Sequence, residues 1–443
     1  MKIQDREIDL SFEQKIISRF IPACLIICLV FSLGLFLTRP IPHGHRYDLA
    51  LKLTIELMIV WMVFSYEPHW LRRKTLIVLI LIVGIGLGVY QLKTIKSDPE
   101  IIETYRSVFK DLEEGRNPYT SGRIYHRNEA NQVVYQNFNY PPMELYPYWL
   151  FYRMFRVWHP QSLTLFLIIL QLLAGIILIL TFRRIRPFYL LAFLPLLVFS
   201  EIKTNPAMTM LSVSIFMALL FRQETRPSTL NRYLIAVVIG FGLLTKFLFI
   251  PLAGVYYFLQ LDFRSWKNSL KVISEGFVSL LVAWLLMLPF GPWNVIKSTI
   301  LFNLNLGERN IYTTFYPNVL SGFFYLIKKP ELYPLAAVVI MVAAVLLATR
   351  LKPFSAMLLS GIAFLLVSPT PEPQYFGTML LLALAAKMME IYSKPDYIFS
   401  HLLFVGDNPR NSRPNTFLVS CSQCKNFYRL SFCLPEIQRS GEK

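Results

Sequence analysis

The chain has 443 residues, 55% of them hydrophobic and only 16% charged, against about 25% charged in an ordinary soluble protein. With a mean hydropathy of +0.47, this excludes a disordered chain, a fibre and a plain soluble enzyme, and leaves a polytopic membrane protein. The net charge of +17 would suggest nucleic acid in a soluble protein. Here the basic residues cluster between apolar runs, as they do where loops face anionic lipid, so no nucleic-acid partner is expected.

In chain order the apolar runs are 20–38, 49–66, 75–92, 163–182, 188–200, 207–221, 233–245, 247–261, 272–290, 333–349, 354–367 and 375–391. A straight crossing needs ~20 residues, so several are short. The pairs 188–221 and 233–261 could each be one long helix. Charge argues against that. Arg72, Arg73 and Lys74, then Arg183, Arg184 and Arg186, then Arg222, Arg226 and Arg232, then Arg264, Lys267 and Lys271, then Arg350 and Lys352 all flank runs. About twelve crossings, with both termini cytoplasmic, put every cluster on the inner side. The expected fold is an all-α bundle of about 12 transmembrane helices, with short broken helices lining a cavity near the outer face.

This topology places 93–162, 201–206, the break at Lys246, the loop 291–332 and 368–374 together on the extracytoplasmic side. Nearly all the unusual polar residues then share one face. Three regions follow: an N-terminal pair of spans (1–74), a core membrane domain (75–391) and a polar cytoplasmic tail (392–443). Cys24 and Cys28 read as packing residues in an apolar run. Cys421 and Cys424 form a C-x-x-C in the tail without a second pair at zinc-finger spacing. No cleavable signal peptide is expected, because a charged stretch precedes the first run and no small-residue cleavage site follows it.

The loop 93–162 is patterned. Ser97-Asp98-Pro99-Glu100 reads as a capping box with proline in the first turn. Ile101, Ile102, Tyr105, Val108, Phe109 and Leu112 recur at helical spacing, and Gly115 ends the run. The pattern predicts an amphipathic helix lying on the outer membrane surface. Gly115-Arg116-Asn117-Pro118-Tyr119 reads as a turn. Tyr140-Pro141-Pro142 opens an aromatic stretch, and its Tyr146, Tyr148, Trp149 and Tyr152 read as an interfacial belt. An Asp before Pro is by default a cap; Asp98 gains interest from its place just beyond a span, on the face where the polar breaks gather.

In this arrangement the core resembles glycosyltransferase family 87, the GT-C-type membrane mannosyltransferases that use polyprenyl-phosphate sugars. The resemblance rests on Ser97-Asp98 after the third span, Gly115 to Tyr119, and Tyr140-Pro141-Pro142. Lys203-Thr204-Asn205 stands for a Gly-Gln-x-Asn turn, and Thr245-Lys246-Phe247 for a Lys-Pro. Tyr316-Pro317-Asn318-Val319-Leu320-Ser321 stands for an Asn-x-Ser motif, and Ser368-Pro369 with Gln374-Tyr375 for Ser-Pro…His-Tyr. It covers roughly 75–391. Gly-Gln is absent before Asn205, Lys246 lacks its Pro, and Gln374 replaces His.

The resemblance implies transfer of a hexose, mannose in the family, from a polyprenyl-phosphate donor to a glycan or glycolipid hydroxyl, with Asp98 as general base. Lys246, Lys203 and Arg309 are the candidates for the donor phosphate, since developing charge needs cations. A lysine inside an apolar run is costly and points to function, although both lysines could snorkel to headgroups. Asn205, Tyr119, Tyr140, Asn318, Glu372, Gln374 and Tyr375 are the candidates for sugar or acceptor. No Asp-x-Asp stands at the outer face, so neither a metal nor another cofactor is expected. The alternatives are a lipid or small-solute transporter or flippase, to which broken helices are suited, and an inactive subunit that kept the fold.

Overall fold

The computed structural model describes residues 99–127, 133–182, 207–261, 265–302, 332–367 and 375–392, with scattered positions between 78 and 89, 194 and 198, and 320 and 329. The described chain is mostly helical. In order it forms α1 (Pro99–Glu113), β1 (Ile124–Arg127), β2 (Val133–Gln136), α2 (Pro142–Phe155), α3 (Pro160–Thr181) and α4 (Ala207–Thr225). Next come α5 (Thr229–Leu243), α6 (Phe249–Gln260), α7 (Trp266–Met287) and the short α8 (Pro292–Ile296). The last are α9 (Tyr333–Ala348), α10 (Pro353–Val367) and α11 (Tyr375–Tyr392). The first two apolar runs and the tail lie outside the described residues.

Among the described residues two helices are long and apolar enough to cross a membrane: α3, and α7 with its continuation to Phe290, which is 25 residues long. Each exposes an apolar stripe. On α3 it is Leu165, Ile169, Leu173, Ile176 and Leu180; on α7 it includes Ile273, Phe277, Leu280, Trp284 and Leu288. A helix facing water carries polar residues on its outer side, so these stripes suit a non-aqueous surround. The inward side of α7 is small and polar instead: Ser269, Val272, Glu275, Ser279, Ala283 and Met287 are buried.

The interrupted run around Lys246 is a reversal of the chain. Ala236 of α5 accepts a hydrogen bond from Ser279 Oγ (2.5 Å), and the Tyr257 hydroxyl of α6 meets the same Ser279. Ala236 and Tyr257 lie at similar separations before and after Lys246, so α5 and α6 run oppositely. The bend is a run of short backbone bonds, among them Thr245 N to Gly242 O and Phe249 N to Lys246 O. Two runs read as separate helices are therefore separate. Their link is where the lysine sits.

The segment between α1 and α2 corrects the all-α expectation: β1 and β2 form an antiparallel hairpin with Tyr125 opposite Tyr135. A second correction concerns α1. Its apolar side does not face outward; Ile102, Tyr105, Val108 and Phe109 are buried beneath the aromatics of α2 and Trp158. Tyr105 lies 4.9 Å from Tyr148, and Phe109 lies 4.7 Å from Tyr152, within the range of favourable aromatic pairs. Tyr148, expected in a belt, is fully buried. At the end of α1, Gly115 takes φ +71°. Gly115 N bonds Leu112 O and Arg116 N bonds Asp111 O, which is the Schellman closure. Ser97 and Asp98 lie outside the described residues, so the capping box is seen only from Pro99, where α1 begins.

Among the described residues two large apolar cores result. One unites α3 to α6 with α9, α10 and α11. The other joins the 99–158 segment to Leu163, Leu167 and Leu170 at the start of α3, Ala207 and Met208 at the start of α4, Leu244 after α5, and Ala283, Met287 and Phe290 at the end of α7. The large loop thus folds as a small aromatic domain over one end of the helices.

Candidate functional site

Beneath this domain the break after α5 meets the start of α2. Met143 N donates to Leu244 O at 3.0 Å, which ties the two segments together. Lys246, 7% exposed, and Glu144, fully buried, stand with Nζ 3.9 Å from Oε1. That is wider than a hydrogen bond and close enough for ion pairing. The ammonium also lies 5.0 Å from the centre of the Tyr140 ring, a cation–π distance. Pro142 stands in the first turn of α2 and Glu144 follows it, so the carboxylate also lies at the positive end of the helix dipole.

Tyrosines surround this pair. Tyr119 donates from its hydroxyl to Tyr140 O (3.0 Å), and Tyr105 to the backbone carbonyl of Glu144 (3.1 Å). Burial, with the nearby Glu144 charge, holds the Tyr119 and Tyr148 hydroxyls well above the usual tyrosine range. They remain neutral donors. His126 of β1 lies with its ring 6.5 Å from Tyr140. It is buried, its Nε2 has no hydrogen-bond partner among the described residues, and burial lowers its pKa to about 4. It is a neutral imidazole at physiological pH.

The turn 115–119 is held from both sides. Asn117 Oδ1 accepts from Tyr119 N (3.0 Å), and Asn117 Nδ2 donates to Phe290 O (2.6 Å). Ser298 Oγ donates to Tyr119 O (2.8 Å). Beside this turn opens a cleft of about 350 Å³, lined by Leu112, Gly115, Arg116, Asn117, Leu145, Tyr146, Trp149, Pro289 and Phe290. Tyr146 is anchored there by its hydroxyl on Leu286 O (2.6 Å). The Arg116 guanidinium is engaged by Asp111 at 2.8 Å and by Glu114.

Of the residues singled out by sequence, Lys246, Tyr140 and Tyr119 come together. Tyr375 begins α11. Asp98, Lys203, Asn205, Arg309, Asn318, Glu372 and Gln374 lie outside the described residues. The sequence reading missed Glu144 and His126. Glu144 had a signal of the same kind as Lys246, a lone charge in a run of apolar and aromatic residues from Tyr140 to Phe151. His126 had none, because its burial depends on a hairpin that local pattern does not announce. Among the described residues no group of three or more histidines, cysteines or carboxylates could hold a metal ion.

Compared with known protein families, curated proteins and solved structures, the chain matches none.

Proposed function

We propose that this chain is a multi-pass membrane glycosyltransferase with both termini cytoplasmic. It transfers a hexose, with mannose the first candidate, from a polyprenyl-phosphate donor to a lipid or glycan hydroxyl at the extracytoplasmic face. One observation carries the reading: Lys246, Tyr140 and Tyr119, from three widely separated motifs, meet under a domain that closes one end of the helices. An ionisable residue inside an apolar run points to function by default, and Lys246 is held here by Glu144 and the Tyr140 ring.

The chemistry follows from the groups. Asp98 directly precedes α1, the helix whose Tyr105 packs against Tyr140 and Tyr148. As general base it takes the acceptor hydroxyl proton. The acceptor oxygen forms its bond to the anomeric carbon while the bond to the phosphate oxygen breaks. Lys246 meets the charge left on that phosphate, with Lys203 and Arg309 as further cations. The neutral tyrosines hydrogen-bond the sugar or the acceptor, with Asn205, Asn318, Glu372, Gln374 and Tyr375 as the remaining candidates.

The test is Asp98→Asn in membranes supplied with a radiolabelled polyprenyl-phosphate hexose. Transfer is expected to fall at least ~100-fold, the usual contribution of a positioned base. Transfer at the normal rate overturns the assignment of Asp98. Labelled lipid crossing the bilayer without a glycosidic product points instead to a flippase.

A further inference from the structure

The two halves of α2 differ. In the first, Pro142, Glu144 and Leu145 are buried, and Pro147 then removes one backbone hydrogen bond of the helix. The second half turns an apolar face outward: Leu150, Met154 and Phe155 are between 58 and 66% exposed. The only charged residues from Leu145 to Trp158 are Arg153 and Arg156. Arg156 meets Glu113 at 2.9 Å, whereas Arg153 is exposed and lies over the Trp149 ring. A helix bathed by water carries polar residues on its outer side. The neighbourhood of this face indicates its occupant. The Phe151 ring lies 5.0 Å from Phe155 and 4.9 Å from Phe166 of α3. Phe166 stands six residues into α3, about 9 Å along its axis. It follows Leu165, the first residue of the exposed apolar stripe of α3. The outward face of α2 is therefore continuous with a surface that suits a non-aqueous surround.

We propose that α2 from Leu150 to Phe155 is an interfacial anchor seated in the bilayer: Leu150, Met154 and Phe155 enter the headgroup–acyl boundary, and Arg153 and Arg156 stand among the lipid phosphates. Interfacial helices bury their apolar face ~5–10 Å into that boundary, which agrees with the level, about 9 Å along α3, at which Phe151 meets it. Arginine lays its stem on apolar surface and presents its guanidinium to phosphate, so two arginines without an acidic residue between Leu145 and Trp158 fit a lipid surface. The proposal rests on α3 crossing the membrane and is independent of sugar transfer. It gives the anchor a role in the molecule. The start of α2 is tied to the break after α5 through Met143 N and Leu244 O, and its end is held in the interface. The anchor thereby fixes the height of the aromatic domain over the acyl boundary.

The experiment places a nitroxide at Met154→Cys in the full chain lacking its five native cysteines, reconstituted in vesicles of phosphatidylcholine and phosphatidylglycerol in equal parts. Oxygen concentrates among the acyl chains and a nickel chelate in water, so the ratio of their collision rates with the label reports depth. Leu173→Cys on the α3 stripe and Thr120→Cys on the aromatic domain are the references, and both positions are exposed. The oxygen-to-chelate ratio at Met154 is expected to exceed that at Thr120 at least ~3-fold and to stay below that at Leu173, as for a side chain ~5–10 Å into the boundary. Leu150→Cys, one turn earlier, is expected to behave as Met154→Cys does. Ratios at both positions equal to that at Thr120 place the face in water and overturn the anchor. Access of neither reagent to either position shows that protein covers the face, a second copy or another partner, and overturns it as well. In both cases a high ratio at Leu173 leaves the crossing of α3 standing. A ratio at Leu173 as low as that at Thr120 overturns the crossing and the anchor together.

Discussion

At Lys246 the expense of an ammonium inside an apolar run is offset by Glu144 and the Tyr140 ring. The converse holds for Glu144, whose buried carboxylate is stabilised by the lysine. Removing one partner of a buried pair costs about 3–5 kcal/mol, whereas replacing both is often tolerated. Lys246→Met should therefore lower the unfolding midpoint in detergent sharply, and Lys246→Met with Glu144→Gln should recover most of the loss. Transfer activity should return in neither, because the phosphate contact is gone. Recovery of activity in the double variant would mean that Lys246 serves only to neutralise Glu144. His126 allows a second test. Its pKa falls from the ordinary ~6.5 to about 4 in the fold, so between those values the unfolded chain binds more protons. Its contribution to stability is complete above pH ~6.5 and is lost as pH falls towards 4, by up to ~3 kcal/mol. His126→Phe should flatten the midpoint-against-pH curve in that window. An unaltered slope would show that the imidazole is solvated.

At the scale of elements, the apolar runs were legible because burial in helices of this kind is written locally. The run 163–182 became Pro160–Thr181, 207–221 became Ala207–Thr225, and 333–349 became Tyr333–Ala348. The reversal at Lys246 was legible from the basic clusters, whose common side requires two separate runs there. The hairpin was not, since Ile124–Arg127 and Val133–Gln136 are too short to show a period and exist only through each other. The burial of Tyr148 and the face chosen by α1 were equally hidden: an amphipathic stripe states that something apolar covers it, not whether that is lipid or protein. Arg232 shows the same limit. It counted as one more inner-face cation, yet it is 7% exposed and bonded to the buried Glu275 at 3.0 Å. That pair lies along the α5–α7 contact, where Gly240 comes so close that a Cβ would fall 2.6 Å from Ser279 O. Backbone carbonyls cannot yield to a methyl group, and small residues are what let apolar helices approach. Gly240→Ala should cost about 1–3 kcal/mol, read as a lowered unfolding midpoint. An unchanged midpoint would show that the two helices can separate without loss.

At the scale of the whole molecule, the aromatic domain marks one end of α7, and the chain order marks the other. The domain packs on Ala283, Met287 and Phe290, whereas Lys271 meets Thr229 near the opposite end, with Trp266 and Lys267 beyond it. Along an α-helix the 25 residues from Trp266 to Phe290 span roughly 37 Å, more than the ~30 Å hydrocarbon core of a bilayer. Exposed tryptophans stand near both ends, Trp266 at 72% and Trp293 at 65%, as interfacial anchors do. The proposed topology puts the domain outside and Lys267 inside. In a variant lacking the five native cysteines, Thr120→Cys should react with a membrane-impermeant maleimide in intact cells. Lys267→Cys should react only after permeabilisation. Both positions are exposed, so failure to label reflects the membrane and not burial. Labelling of both in intact cells would mean that α7 does not cross, and the reverse pattern would invert the chain and move Lys246 to the cytoplasmic side. Either result removes the extracytoplasmic donor site, because the lysine, Tyr140 and the domain above them stand or fall on one face.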